Sequence, residues 1–252
     1  MLTTHKLHTS LLNTDFVKYT IILPSDPQKT CLWLHGRKER AEDILNNSNL
    51  EHLAEKYHSA ILLPDVPDTY YLDQPWKNCF TEQFLITEFL PKITERYALP
   101  CDREHLIIAG ISMGGFGSLL LGSHHPDLFS RIICISGAFI IDDILIGNPE
   151  VVGAQPESLN YFRNLFGDIP SLDASEGRNP LNAALKTLSA AALPRTFLSC
   201  GKSDLLYSRN IHIKNRLITA GADITWREYF GDHTWDIFSP AIADAFSWMA
   251  AK

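Results

Sequence analysis

The chain has 252 residues, 45% hydrophobic and 20% charged, with Gly 14 and Pro 14. This composition excludes a disordered chain, which would be poorer in apolar residues, and a collagen-like or low-complexity one, which would need far more Gly and Pro. Lys+Arg 22 against Asp+Glu 29 gives a net charge of -7. With no Lys/Arg-rich run, that field is wrong for a phosphate backbone, so no nucleic-acid partner is expected, and it also argues against an acidic substrate.

The five cysteines, Cys31, Cys79, Cys101, Cys134 and Cys200, are odd in number and form no CxxC pair. They read as packing residues of a reduced compartment, not as a disulfide or zinc framework. The N-terminal MLTTHKLHTSLLNTDF has no apolar region behind a basic flank, and no run approaches about 18 uncharged apolar residues. The expectation is a cytoplasmic protein with no membrane partner.

Residues 6–12 and 16–24 read as two early strands, forming a hairpin. The run TCLWLH (30–35) is apolar throughout and ends at Gly36. Residues 41–57 have helical spacing, AILL (60–63) is a strand ending at Pro64, and 81–97 form a long amphipathic helix. HLIIAGI (105–111) is a further strand, followed by a helix over 113–123. Strands at 131–136 and 196–199, a helix at 208–220, a strand at 224–229 and a closing helix at 240–251 complete the pattern. Runs apolar on both faces, separated by helices, indicate an α/β fold with a mostly parallel central sheet and helices on both faces.

The alternation breaks once, between residues 140 and 193. Gly147, Pro149, Gly153, Pro156, Gly167, Pro170, Gly177 and Pro180 punctuate this stretch. A structureless loop of that length is improbable in a compact domain. It reads as an insertion with short helices near 159–166 and 181–191, inside a single domain spanning 1–252.

The sharpest local feature is Gly110-Ile111-Ser112-Met113-Gly114, which fits G-x-S-x-G between a strand and a helix. Such a turn lifts the Ser112 hydroxyl above the carboxyl edge of the sheet and puts the Met113 N–H at a helix N-terminus, facing a developing oxyanion. A serine needs a base and an acid, which in this arrangement follow it in the chain. His233 stands in FGDHTW, the turn between the last strand and the last helix; His212 lies within a helical period and reads as packed or solvated. Asp204 follows the strand TFLSC and can hold the His233 Nδ1–H. Asp232 and Asp223 are rivals, the latter at the opposite end of the sheet. The loop after the third strand supplies the Arg37 N–H as second oxyanion donor, with Gly36 allowing close approach. His35 and Arg37 could instead form a charged catalytic pair, but the simpler reading is that their side chains only flank the backbone.

These segments resemble the α/β-hydrolase superfamily, its esterase-D-like branch, and small intracellular tributyrin-type carboxylesterases within it. The resemblance runs from LWLHG (32–36) to DHTW (232–235), through EFLPKI, IIAGISMGGFGSLLL, ISGAF and CGKSDLLY. It implies Ser112 as nucleophile, His233 as base, Asp204 as acid and the Met113 and Arg37 amides as oxyanion hole. SLNYFRNLFGD (158–168) resembles the lid helix of those esterases, making 140–193 a small helical lid. Two departures stand out. Phe162 occupies the position where those lid helices often carry Trp, and the loop reads RKER (37–40) where it is usually small and polar.

The expected activity is that of a serine carboxylesterase acting on short-chain acyl or aryl esters, with no metal or cofactor. Trp76, Tyr161 and Phe162 are the candidate substrate contacts, with Phe166 and the aromatic loop at Tyr70 and Tyr71 nearby. The alternatives are an S-formylglutathione thioesterase, whose relatives usually carry a longer N-terminal region, and an acyltransferase of the same branch. A non-catalytic binding module is the reading from another class. A homo-oligomer is compatible with all of these.

Overall fold

The computed structural model describes residues 1–153 and 158–250. Pro156 and Ala251 of the expected insertion and closing helix lie outside them. The chain forms β1 (Leu2–His8), β2 (Phe16–Ile22), β3 (Lys29–Leu34), α1 (Ala41–Asn47), α2 (Leu50–Lys56) and β4 (Ser59–Pro64). A small hairpin follows, β5 (Asp73–Gln74) and β6 (Cys79–Phe80), joined by a 3-10 turn at Pro75–Lys77. Next come α3 (Thr81–Gln83), a π-helical stretch at Phe84–Phe89, α4 (Leu90–Arg96), β7 (Leu106–Ile111), α5 (Met113–His124) and β8 (Arg131–Ile135). The insertion carries α6 (Ile141–Ile146), α7 (Pro149–Val152), α8 (Ser158–Phe166), a 3-10 turn at Pro170–Leu172 and α9 (Pro180–Ala190). β9 (Arg195–Gly201), α10 (Tyr207–Thr219), β10 (Ile224–Tyr229) and α11 (Trp235–Ala250) complete the chain.

The eight long strands make one sheet in the order β1-β2-β4-β3-β7-β8-β9-β10. β1–β2 and β2–β4 pair antiparallel; every pair from β4–β3 to β9–β10 is parallel. The interior strands β3, β4 and β7 are buried on both faces, as such a sheet requires, while the edge strand β10 has no buried residue. Their side chains alternate between two cores. Leu32, Leu34 and Ile108 join Phe116 and Leu120 of α5 on one face. Cys31, Trp33, Ile107 and Ala109 join Ile242 and Phe246 of α11 on the other.

Several expected boundaries shift for physical reasons. β1 begins at Leu2, not residue 6, because its register is set by β2, with Leu2 opposite Ile22 and His8 opposite Phe16. The helix expected over 41–57 is two helices, since Ser48 is extended at φ -141, ψ 170. The helix at 81–97 widens into π geometry just upstream of Pro91, whose ring would clash with the carbonyl four residues back. α11 starts at Trp235 and carries Pro240 inside it, where the expected helix began at that proline. Among the described residues no helix is long and apolar enough to cross a membrane.

Candidate active site

β7 delivers Ser112 to the carboxyl edge of the sheet and α5 leaves from it. The serine has φ 55 and ψ -114, a strained backbone for a residue with a Cβ. The flanking glycines make that turn possible by close approach. A Cβ on Gly110 would lie 2.3 Å from the Gly114 carbonyl carbon, and one on Gly114 would lie 2.0 Å from the Leu34 oxygen.

β9 ends at Gly201 and leads to Asp204; β10 leads to His233. The three side chains meet: His233 Nδ1 is 2.8 Å from Asp204 Oδ2, and His233 Nε2 is 3.0 Å from Ser112 Oγ. With its proton on Nδ1, the imidazole donates to Asp204 and accepts from the Ser112 hydroxyl. The ring packs edge-on against Phe238, 4.9 Å between centroids. The Asp204 carboxylate is fully buried and also accepts the Leu206 amide at 2.8 Å. Burial alone would raise its pKa, but the bonds from His233 and Leu206 outweigh it and hold the carboxyl below its ordinary value. The rivals lie elsewhere. Asp223 pairs with Arg195 at 3.0 Å at the start of β9, Asp232 is exposed, and His212 faces Asp142 at 3.8 Å on α10.

The loop from Gly36 to Ala41 shows how one amide is singled out. The Gly36 N–H donates to Glu39 Oε2 (3.0 Å), Lys38 N–H to Asp68 Oδ2 (2.9 Å), Arg40 N–H to Asp43 Oδ2 (2.7 Å) and Ala41 N–H to Asp65 Oδ1 (2.7 Å). Glu39 N–H donates to the Gly36 carbonyl at 3.2 Å. Only the Arg37 amide of this loop lacks an acceptor among the described residues. The Met113 amide, at the first position of the twelve-residue α5, lacks one too. Nothing in the spacing RKER announces this carboxylate scaffold. Burial, partly offset by the Gly36 amide, raises the Glu39 carboxyl above its usual value.

His35 is buried, with Nδ1 2.7 Å from the Gly36 carbonyl and Nε2 3.1 Å from the Val66 carbonyl. Burial lowers its pKa. It braces the loop and forms no pair with Arg37. The Arg37 side chain does more than flank the site: it lines the cleft over Ser112 and His233. Asn210 was silent in the sequence. Buried on α10, it brackets Gly137, accepting its N–H at 3.1 Å and donating to its carbonyl at 2.9 Å. The next residue, Ala138, donates its N–H to the Ser112 carbonyl at 2.9 Å.

The cleft holds about 520 Å³, and Tyr70, Ile140, Tyr161 and Phe162 line it, a size suited to a small ligand. Of the three aromatic residues singled out in the sequence, Tyr161 and Phe162 thus line this cleft. Trp76 does not. It is 47% exposed, and its indole N–H donates to the Asn164 carbonyl at 3.0 Å, on the outside of α8. Its hairpin runs beneath that helix end, where the nearby Gln74 donates to the Leu165 carbonyl at 2.6 Å. A second cavity of about 370 Å³, beside α6, α9 and α10, shares only Glu150 with the cleft among the described residues. Among the described residues no group of three potential ligands could hold a metal ion.

A serine on a strand-to-helix turn at the carboxyl edge of such a sheet defines the α/β-hydrolase class. The family model described as "Putative esterase" matches residues 51–249. The chain is 32% identical over 235 residues to an acetyl esterase of Caldicellulosiruptor saccharolyticus, covering 92% of this chain and 87% of that protein. Its fold is similar to the S-formylglutathione hydrolase of Staphylococcus aureus, with TM-score 0.85 and 21% identity over 100% of this chain and 99% of that one. An S-formylglutathione hydrolase from Agrobacterium tumefaciens is also similar, with TM-score 0.78 and 18% identity over 99% and 94%. The chain belongs to this esterase family and is a hydrolase with an α/β-hydrolase fold.

Proposed function

We propose that the protein is a serine carboxylesterase that hydrolyses short-chain acyl or aryl esters through an acyl-enzyme on Ser112. The observation that carries this reading is the unbroken hydrogen-bond chain Ser112–His233–Asp204 beside two amides without acceptors. His233 takes the Ser112 proton as Oγ attacks the acyl carbon, and Asp204 stabilises the imidazolium. The Arg37 and Met113 amides receive the oxyanion, each worth roughly 3 kcal/mol in comparable sites. His233 then protonates the leaving alcohol, and a water that it activates releases the acid. The proposed reaction is complete with these groups and water. All five cysteines are unpaired, which supports a reducing, cytoplasmic setting.

The test is turnover of p-nitrophenyl acetate and butyrate by the wild type and Ser112→Ala, with fluorophosphonate labelling alongside. Loss of at least about a thousandfold in kcat and of the label is expected. Retained activity in the variant would sink the assignment. Added alcohol acceptors, with product analysis, separate hydrolysis from acyl transfer.

A further inference from the structure

The side chain of Arg37 is a cation that the loop does not neutralise. Glu39, Asp68, Asp43 and Asp65 each give a carboxylate oxygen to a backbone amide of residues 36–41. Arg40 also pairs with Asp68 at 3.6 Å. Arg37 forms no ion pair among the described residues; its neighbours are the hydroxyls of Tyr161 and Tyr70 and, further off, Asp68. The guanidinium stays exposed at the mouth of the cleft that Ser112 and His233 line.

The cleft is graded from a buried apolar floor to an exposed rim that carries a cation. Ala138, Ile140 and Phe162 are buried at its floor, with Phe162 only 7% exposed. Tyr161 at 44% and Leu205 at 66% stand with Arg37 at the rim. A carboxylate pushed onto the floor would lose its hydration with no partner, whereas at the rim it meets a guanidinium. The acyl chain therefore takes the floor and the leaving alcohol the rim. Among the described residues the one carboxylate lining the cleft is Glu150, which sits in the field of Arg209. The overall charge of -7 does not decide the matter, because at physiological salt charges beyond about 8 Å are screened.

We propose that Arg37 is a specificity-determining residue that selects esters whose leaving alcohol carries a carboxylate. The proposal rests on the Ser112 esterase reading. The guanidinium pairs with that carboxylate while Ser112 Oγ bonds to the acyl carbon. The ester C–O bond breaks, His233 returns the proton to the departing oxygen, and the anionic alcohol leaves.

Two substrate pairs test it. 4-Acetoxybenzoate and its methyl ester differ by a charge on the leaving group. The mono-4-nitrophenyl ester of succinic acid and 4-nitrophenyl butyrate differ by a charge on the acyl group. In Arg37→Gln the kcat/KM ratio of the first pair, charged over neutral, should fall about fivefold relative to wild type, mainly through KM. Arg37→Glu should lower it further and Arg37→Lys should restore part of it, and the ratio of the second pair should not move. In the wild type, raising NaCl from about 20 to about 500 mM should raise KM for 4-acetoxybenzoate and not for the methyl ester. An unchanged first ratio in both Arg37→Gln and Arg37→Glu, or a fall confined to the second pair, overturns the proposal. Activity surviving in Ser112→Ala on all four esters overturns the underlying esterase reading instead.

Discussion

On one side of the cleft, backbone lies against backbone. Gly114 abuts the Leu34 and His35 carbonyls, and Gly115 approaches the Gly137 Cα. No charged or titrating side chain takes part in those contacts. On the other side, α8 carries Tyr161 and Phe162 and is held by side chains. Gln74, Trp76 and Arg178 donate to the carbonyls of Leu165, Asn164 and Phe166, at 2.6, 3.0 and 2.5 Å. Those are three of the carbonyls a helix end leaves without partners. Below them Phe166 packs on Phe116 and Tyr70, with centroids 6.1 and 5.2 Å apart. The elbow wall tolerates almost no added atom; the insertion wall depends on separate polar bonds that can be cut one at a time.

The sharpest way to break the elbow wall is Gly114→Ala. Its Cβ would meet the Leu34 oxygen at 2.0 Å, and backbone cannot yield that far cheaply. A loss of about 3 kcal/mol or more is expected, a fall in Tm of roughly 10 °C, together with loss of esterase turnover. Differential scanning calorimetry and the p-nitrophenyl acetate assay check it, and a Tm within a degree of wild type contradicts it.

The insertion wall should yield by smaller steps. Gln74→Leu strips the buried Leu165 carbonyl of its donor, worth about 1–3 kcal/mol. Amide exchange should quicken along α8 and KM should rise for all esters, while the α5 amides keep their protection. Equal quickening in α5 would mean that the two walls are not independent.

The smallest effect is expected from pH. His124 Nδ1 lies 2.8 Å from Glu82 Oε1, and its Nε2 lies 2.9 Å from the Glu176 carbonyl in the insertion. Two acceptors call for two ring protons, so this arrangement needs the imidazolium. Burial works against it, but Glu82 outweighs burial and raises the His124 pKa above 6.5. His125 Nε2 shares Glu82 Oε1 at 2.8 Å, the Lys186 ammonium opposes the charge and Asp73 lies in its field. Burial would raise Glu82 as well, yet the two histidines bring it down to about 2. The Glu82 contribution is therefore present above 4.5 and lost as pH falls toward 2. The His124 contribution is full below 6.5 and lost as pH rises through the raised value. Wild type should lose about 2 °C more Tm than His124→Gln between pH 6 and 9. Parallel Tm–pH curves for the two proteins would refute this.

What was legible in the sequence follows the same division. β3, β7, β8 and β9 announce themselves because parallel strands buried on both faces must be apolar throughout. The meeting of Ser112, Asp204 and His233 was legible because each follows a recognisable strand. α6, α7 and the β5–β6 hairpin were not, since elements of two to six residues owe their form to tertiary contacts and carry too few residues for a period. Trp76 was misplaced because spacing cannot tell the inside of a helix from the outside when the contact comes from another segment. The carboxylates around residues 36–41 escaped notice for a related reason. Asp65 and Asp68 reach the loop from beyond β4, and a carboxylate bound to an amide looks in sequence like any surface acid.

Helix α5 has one property with reach beyond geometry. Every residue from Met113 to Ser123 is buried, so the helix has no solvent face from which to fray. Beyond its first turn, its hydrogen-bonded amides should exchange only through global unfolding. The serine at its head is thus anchored in the last part of the molecule to open. Heat should abolish turnover together with the fold, leaving no folded but elbow-damaged species in between.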